Sequence, residues 1–378
     1  MDSLISLRHE LHKYPELSGK EVETAKKIRN YLTSYNPITI VENIGGHGLV
    51  AEYKYSEKEP SIIIRCELDA LPIPEDEIAD YSSTTQGISH KCGHDGHIAM
   101  VAGLAPWLSK QKFNNGSVYL LFQPAEETGK GALSMLADPK MDTFSPDYIF
   151  ALHNLPGYPM HEIIRVDNQF NATVLSLAIV LKGKTSHASE PEKGKNPSLA
   201  IARLTMAILK LEKNDPASED FALITPVHTT IGSKNYGISP GHGEIHFTIR
   251  TWNRQKIKSL TDKIDTLLRE ECATSGLDYK TGIFDYFPSV INDPLCNDLV
   301  ENVACDLKLK VQNVKTPIRF GEDFGFFTER FRGVMFGLGA GIETPPLHSV
   351  DYDFPDELIE TGLSMFKGII TKILSSKK

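Results

Sequence analysis

The chain has too few cysteines, too irregularly placed, for a disulfide framework. There are five (Cys66, Cys92, Cys272, Cys296 and Cys305), an odd number with no repeating spacing, and a reducing compartment fits them better. It also has no basic surplus. Lysines and arginines number 40 against 49 aspartates and glutamates, a net charge of −9, which argues against a general nucleic-acid binder. A small substrate held by one or two local arginines remains compatible with that balance. No run approaches the ~18 apolar residues of a membrane span. The opening Met1-Asp2-Ser3-Leu4 shows no basic region followed by an apolar core, so no signal peptide is visible. The expected location is the cytoplasm. Internal repeats and low-complexity segments are lacking too.

What is present suits a large globular core. The 378 residues are 40% hydrophobic and 24% charged, and the length points to two or three domains. Residues 3–13 read as a short helix. Ser18 and Glu21 form a capping-box pattern ahead of a stripe at Val22, Ala25, Ile28 and Leu32. Strands are expected at 38–41, 49–53, 61–65, 117–122, 148–152 and 334–338. The stripe Ile98, Val101, Ala102, Ala105 and Leu108 predicts one helix. Several polar clusters follow directly on apolar strands, where open α/β sheets place their ligands.

Between roughly 173 and 287 the texture changes. Strands at 174–181, 221–230, 244–251 and 279–286 alternate with two helical stripes, one of them capped by Asn196 with Pro197 at its first position. The order β-α-β-β-α-β matches a ferredoxin-like unit. The expected organisation is an α/β domain of residues 1–172 and 288–378 with a second, α+β domain of residues 173–287 inserted.

The chemistry concentrates in Ser89-His90-Lys91-Cys92-Gly93-His94-Asp95-Gly96-His97. Cys92 and His94 are two positions apart, and in an extended or loop backbone such residues project to the same side. A thiolate sulfur and an imidazole nitrogen can then meet one cation. The plain alternative is a glycine loop that happens to be histidine-rich. Elsewhere Glu126-Glu127, His153 and His348 offer ligands of the types that zinc and similar cations take. Taken singly, each has an ordinary reading: a solvated acidic turn, a strand-end histidine, a loop histidine. Taken together, five groups exceed one tetrahedral catalytic ion and suit two ions sharing a bridging thiolate. Adjacent glutamates diverge, so one can ligate while the other moves a proton.

These residues also carry a resemblance. His90-Lys91-Cys92-Gly93-His94-Asp95-Gly96-His97, Phe122-Gln123-Pro124-Ala125-Glu126-Glu127, Leu152-His153-Asn154-Leu155-Pro156, Ser186-His187-Ala188-Ser189 and Gly321-Glu322-Asp323-Phe324 resemble the amidohydrolase branch of the dinuclear metallopeptidase family. That branch includes hippurate hydrolases, N-acyl-amino-acid amidohydrolases, N-acetyldiaminopimelate deacetylases and indole-acetyl-amino-acid hydrolases. The resemblance spans nearly the whole chain. It implies a mixed-sheet metallopeptidase catalytic domain with the ferredoxin-like insert acting as a lid. It implies two divalent ions, zinc or manganese, cobalt or nickel, on Cys92, His94, Glu127, His153 and His348. Glu126 would be the general base and proton donor, and His187 would hold the substrate carbonyl or its oxyanion. Asn235 and Arg250 would contact a substrate carboxylate, for which the arginine fork is apt. Asp69 and Asp95 would support the ligands from behind.

Two stretches depart from the family pattern, which usually reads Arg-Ala-Asp-x-Asp-Ala-Leu-Pro where this chain has Arg65-Cys66-Glu67-Leu68-Asp69-Ala70-Leu71-Pro72, with Glu67 longer than the usual aspartate, and commonly has a second histidine where this chain has Ser349. The function expected is hydrolysis of an N-acyl amino acid to a carboxylic acid and a free amino acid. The partner is then a small molecule, with no nucleic acid and no membrane, and homo-oligomerisation is left open. The alternatives are a dipeptidase or carboxypeptidase of the same family, a cysteine-nucleophile hydrolase built on Cys92 and His94, and a non-enzymatic binding protein on the same fold.

Overall fold

The computed structural model describes residues 1–57, 60–76 and 79–375. Twelve strands of four residues or more occur among them, numbered here in chain order. The first six are β1 (Thr39–Ile44), β2 (Gly48–Lys54), β3 (Ser61–Glu67), β4 (Ser117–Gln123), β5 (Tyr148–Leu155) and β6 (Ile163–Val166). The next four are β7 (Thr173–Lys182), β8 (Ala222–Ile231), β9 (His242–Thr251) and β10 (Asp278–Phe287), and the last are β11 (Val311–Val314) and β12 (Arg332–Gly339). The principal helices are α1 (Asp2–Lys13), α2 (Val22–Thr33), α3 (His94–Ala102), α4 (Ser198–Leu209), α5 (Arg254–Ser275), α6 (Pro294–Asp306) and α7 (Leu358–Ser375). No helix of the described residues is long and apolar enough to cross a membrane.

The chain divides into two units. The first holds residues 1–170, 290–315 and 322–378, and the second holds residues 171–289 and 316–321. The sequence reading leaves 316–321 with the first unit; Asn171 pairs with Ile318 in a bridge and ties that segment to the second.

The first unit is built on an eight-stranded mixed sheet of order β1-β2-β4-β3-β5-β12-β6-β11. β3 runs parallel to both β4 and β5, and β5 runs parallel to β12. These four strands therefore share one carboxyl edge. β3 and β4 are buried at every position, as β-branched and apolar runs require when both faces are covered. One core cluster joins Ile62, Ile64, Leu120, Phe122 and Phe150 of the sheet to Leu11 of α1, Ile98 of α3, Val300 of α6 and Phe366 of α7. Each such side chain, fully buried, contributes roughly 1.5–3 kcal/mol.

The second unit is an antiparallel sheet of order β10-β7-β9-β8. With α4 and α5 after its first and third strands it has the ferredoxin-like β-α-β-β-α-β order. β9 alternates strictly between buried and half-exposed residues from Gly243 on. Its inward Ile245, Phe247 and Ile249 pack with Leu204 of α4 and Leu260 and Leu268 of α5.

Three local expectations change. The expected capping box does not form. Ser18 Oγ donates to Asp69 Oδ2 (2.6 Å) instead, and Glu21 Oε1 accepts from Gly19 N and Ala125 N (2.8 Å each). The helix expected through Leu108 stops at Ala102, and Ala105–Leu108 is a separate turn. Pro106 has no amide to offer the carbonyl four residues back. Pro197 precedes α4 rather than opening it, while Asn196 Oδ1 still accepts from Ser198 N (2.9 Å).

Candidate metal centre

The carboxyl edge of β3, β4, β5 and β12 collects the polar clusters of the first unit. Leaving β3, the chain passes Glu67 to Asp69. Leaving β4 it turns through Ala125, at φ +50°, into Glu126-Glu127. β5 ends on His153-Asn154-Leu155. The loop of residues 89–93 runs into α3 through Gly93, which sits at φ +91°. A Cβ on Gly93 would stand 2.9 Å from Asn154 Oδ1, so glycine is required both by the backbone and by the close approach. After β12, a loop brings in His348 at φ +64°, its amide donating to Lys91 O (2.8 Å).

Two of the ligand triads that result, Cys92–His94–His153 and Cys92–Glu127–His348, share the sulfur, and Glu67–His94–His97 and His94–Glu126–Glu127 adjoin them. Cys92 Sγ lies 3.6 Å from His153 Nε2, and His348 Nε2 lies 3.6 Å from Glu127 Oε2. His94 Nε2 is 3.9 Å from both Glu127 Oε1 and Glu126 Oε2. Ligand atoms at ordinary bond lengths around one tetrahedral zinc are about 3.4–3.6 Å apart, so modest closure suffices. Both inner histidines have their tautomer set from behind. His94 Nδ1 donates to Asp69 O (2.8 Å) and His153 Nδ1 donates to Asn154 O (2.9 Å). Each therefore turns Nε2 to the centre, as ligating histidines do.

The electrostatics fit bound cations. Among the described residues, His94 Nε2 and Glu127 Oε1 are buried without a hydrogen-bond partner. Burial, Glu322 and Glu127 push the Glu126 carboxyl well above its usual range, and burial and Asp69 do the same to Glu127. Burial and then Glu127 raise the Cys92 thiol. Burial lowers His153 to about 3, and burial with His94 nearby lowers His348 to about 4. The imidazoles of His153 and His348 are thus held neutral, ready to ligate, while Glu126 and Glu127 crowd together beside an Arg65 whose charge is already taken up by Glu67, Glu322 and Asp323. A divalent cation supplies compensating positive charge.

Of the two aspartates expected to support the ligands, Asp69 contacts two of them and Asp95 contacts none. Asp69 meets His94 through its carbonyl, while its carboxylate accepts from Glu127 N (3.0 Å). Asp95 turns away and pairs with Arg8 Nε (2.7 Å) and His12 Nδ1 (2.8 Å). His187, Asn235 and Arg250 belong to the second unit. His187 Nδ1 faces Ser189 Oγ (2.6 Å), Asn235 Oδ1 accepts from Gly237 N (3.2 Å), and Arg250 Nε donates to Arg319 O (3.1 Å).

Sequence reasoning missed a buried charged layer behind the triads. Arg65 donates through Nε to Gln123 Oε1 (2.9 Å) and through Nη2 to Glu322 Oε1 (2.9 Å) and Asp323 Oδ1 (3.1 Å), and it also pairs with Glu67. Glu126, Glu322 and Asp323 form an acidic group beside it. The available signal was an arginine closing an otherwise apolar strand, which needs buried partners.

Comparison with known proteins places this geometry in a class. The family model described as peptidase family M20/M25/M40 matches residues 63–372, and the chain belongs to that family. An N-acetylcysteine deacetylase of Bacillus subtilis is 29% identical over 376 residues, covering 99% of this chain and 98% of that protein. A hippurate hydrolase of Campylobacter jejuni is 29% identical over 374 residues, covering 97% and 96%. A solved Bacillus subtilis structure, described as a dinuclear metal binding peptidase of the M20 family, superposes with a TM-score of 0.82 at 27% identity, covering 100% of this chain and 99% of that one.

Proposed function

We propose that the protein is a metal-dependent amidohydrolase that cleaves N-acyl amino acids to a carboxylic acid and a free amino acid. The observation that carries the reading is the pair of triads sharing Cys92, with Glu126 beside them. In this reading Cys92, His94 and His153 hold one divalent ion and Cys92, Glu127 and His348 the other. Zinc suits the thiolate; manganese, cobalt and nickel suit the remaining donors. Ions held by these residues would supply Lewis acidity, lowering the pKa of a water and polarising the acyl carbonyl.

Glu126 then takes a proton from the attacking water and delivers it to the leaving nitrogen, so that amide and water give acid and amine. Its carboxylate is buried, acid-crowded and close to the triads, which favours proton uptake. His187 hydrogen-bonds the developing oxyanion, and Asn235 and Arg250 receive the substrate carboxylate. In this reading the second unit, residues 171–289 and 316–321, serves as the lid of the catalytic domain. A cytoplasmic location accords with the cysteine usage, and the partner is a small molecule.

The cysteine-nucleophile reading is disfavoured because it leaves the Glu126-Glu127 pair beside Cys92 without a role, and burial and Glu127 raise the Cys92 thiol rather than lower it. The test is metal analysis of the purified protein coupled to a panel of N-acetyl amino acids, N-benzoyl amino acids and dipeptides. Two ions per chain with turnover of the N-acyl substrates is expected. Preference for dipeptides would move the assignment to the peptidases of the family. No turnover with zinc, manganese, cobalt or nickel would revive a binding protein.

A further inference from the structure

Glu67 replaces the shorter aspartate usual in the family, and it is buried and fully engaged. Its Oε2 lies 2.7 Å from His97 Nδ1, and its Oε1 pairs with Arg65. His97 Nε2 in turn lies 2.6 Å from the side-chain amide of Asn154. That amide also meets Tyr352 Oη at 2.5 Å. The backbone carbonyl of Asn154 accepts from His153 Nδ1 at 2.9 Å. Arg65 is fixed by Glu322, Asp323 and Gln123, so the far end of the series cannot drift. Every member from Arg65 to His153 is buried. The missing Cβ at Gly93 leaves room for the Asn154 amide.

We propose that Glu67, acting through His97 and Asn154, is the positioning residue for His153, so that it governs the ion held by Cys92, His94 and His153 and not the one held by Cys92, Glu127 and His348. This rests on the ligand set given under the proposed function. The second triad is oriented by other contacts: Glu127 by Asp69 on its amide, and His348 by Lys91. The asymmetry is what makes the proposal testable. Groups behind a ligating histidine typically set metal affinity by about 10–100-fold.

The experiment uses the full chain, freed of metal and titrated with zinc and with cobalt, reading the dissociation constant of each of two ions together with the melting temperature of the metal-free protein. In Glu67→Gln one ion weakens about 10–100-fold while the other keeps its affinity. Glu67→Asp keeps the charge on a shorter arm and falls between. Asn154→Ala keeps the carbonyl but loses its anchor, and gives the same one-ion loss should Glu67→Gln fail to fold. A melting temperature lowered without any change in the affinity ratio of the two ions would make the role merely structural and overturn the proposal. Equal weakening of both ions would overturn it too. His153→Ala separates the two ideas. If His153→Ala weakens one ion and Glu67→Gln weakens neither, the relay fails alone. If His153→Ala leaves both ions in place, the ligand set fails and takes the relay with it.

Discussion

The two units treat charge in opposite ways. In the first, Glu67, Asp69, His94, Asp95, His97, Glu126, Glu322 and Asp323 are all buried, and most have protein partners: Glu67 meets His97 and Arg65, His94 meets Asp69, Asp95 meets Arg8 and His12, and Glu322 and Asp323 meet Arg65. In the second, the core is aliphatic and aromatic, and its chemically distinctive side chains stay outside: His187 and Asn235 are exposed and Arg250 half-exposed. Burying unpaired charge is costly and is retained where something else, such as a cation, completes it. The contrast separates a framework that holds reactive groups at fixed positions from one that presents groups able to adjust to a ligand. Changes in the first unit should therefore strike chemistry or metal, and changes at Asn235 and Arg250 of the second should strike substrate affinity.

The largest expected effect tests the first half of that contrast. Glu126→Gln keeps the shape and removes the proton acceptor. In protein loaded with metal, kcat should fall about 10²–10⁴-fold, while elemental analysis still finds both ions. Retained turnover in a loaded Glu126→Ala protein would remove Glu126 from its role. Loss of metal along with activity would make it a ligand instead.

Much of this centre was legible in the sequence because its members sit in short, locally distinctive runs. Cys92 and His94 flank Gly93, Glu126 and Glu127 follow an apolar strand and His153 lies near the end of another, and a parallel sheet brings such strand ends together. The partners behind them were not legible. Nothing local to Asp95 says that it faces Arg8 and His12 on a helix 83–87 residues earlier. Nor does the Glu322-Asp323 pair announce that it closes on Arg65, some 257 residues away. The capping-box error has the same cause. Ser18 has a local pattern, but Asp69 outbids the helix for its hydroxyl through a contact that only the folded chain creates. The short β6 and β11, whose pairing is long-range, escaped for that reason too.

The network behind α1 offers a pH test. Burial pulls the His12 imidazole down, but its hydrogen bond to Asp95, the Asp95 charge and the bond to Glu75 outweigh burial and raise it to about 9. A raised histidine stabilises the fold fully below its unfolded value, about 6.5, and that contribution is lost as pH climbs through about 9. The loss is on the order of 3 kcal/mol. Melting temperatures between those pH values should fall in the parent protein and be flatter in His12→Gln. Parallel profiles would show that the buried charges of the first unit do not depend on a protonated His12. In the second unit, Arg250→Lys loses the planar fork while keeping the charge. KM for a carboxylate-bearing substrate should rise roughly tenfold or more, with kcat and metal content changed far less. A fall in kcat with unchanged KM would place Arg250 among the chemical groups and blur the distinction between the units.

The smallest effect compares the units on equal terms, through two helix caps. Asn253 Oδ1 accepts from Lys256 N (2.8 Å) at the start of α5 in the second unit. Asp293 Oδ1 accepts from both Leu295 N (3.0 Å) and Cys296 N (3.1 Å) at the start of α6 in the first, and Oδ2 pairs with Arg332 Nε (3.3 Å). Asn253→Ala should cost about 1 kcal/mol. Asp293→Ala removes a charged acceptor, two amide bonds and the favourable interaction with the helix dipole, so it should cost more, toward 2 kcal/mol. Denaturant titration of the two variants measures the difference. Neither cap touches a candidate ligand, so both variants should keep two ions per chain. If Asn253→Ala costs as much as Asp293→Ala, the neutral cap is held by more than its one hydrogen bond. The second unit would then owe its stability to polar contacts as much as to its apolar core.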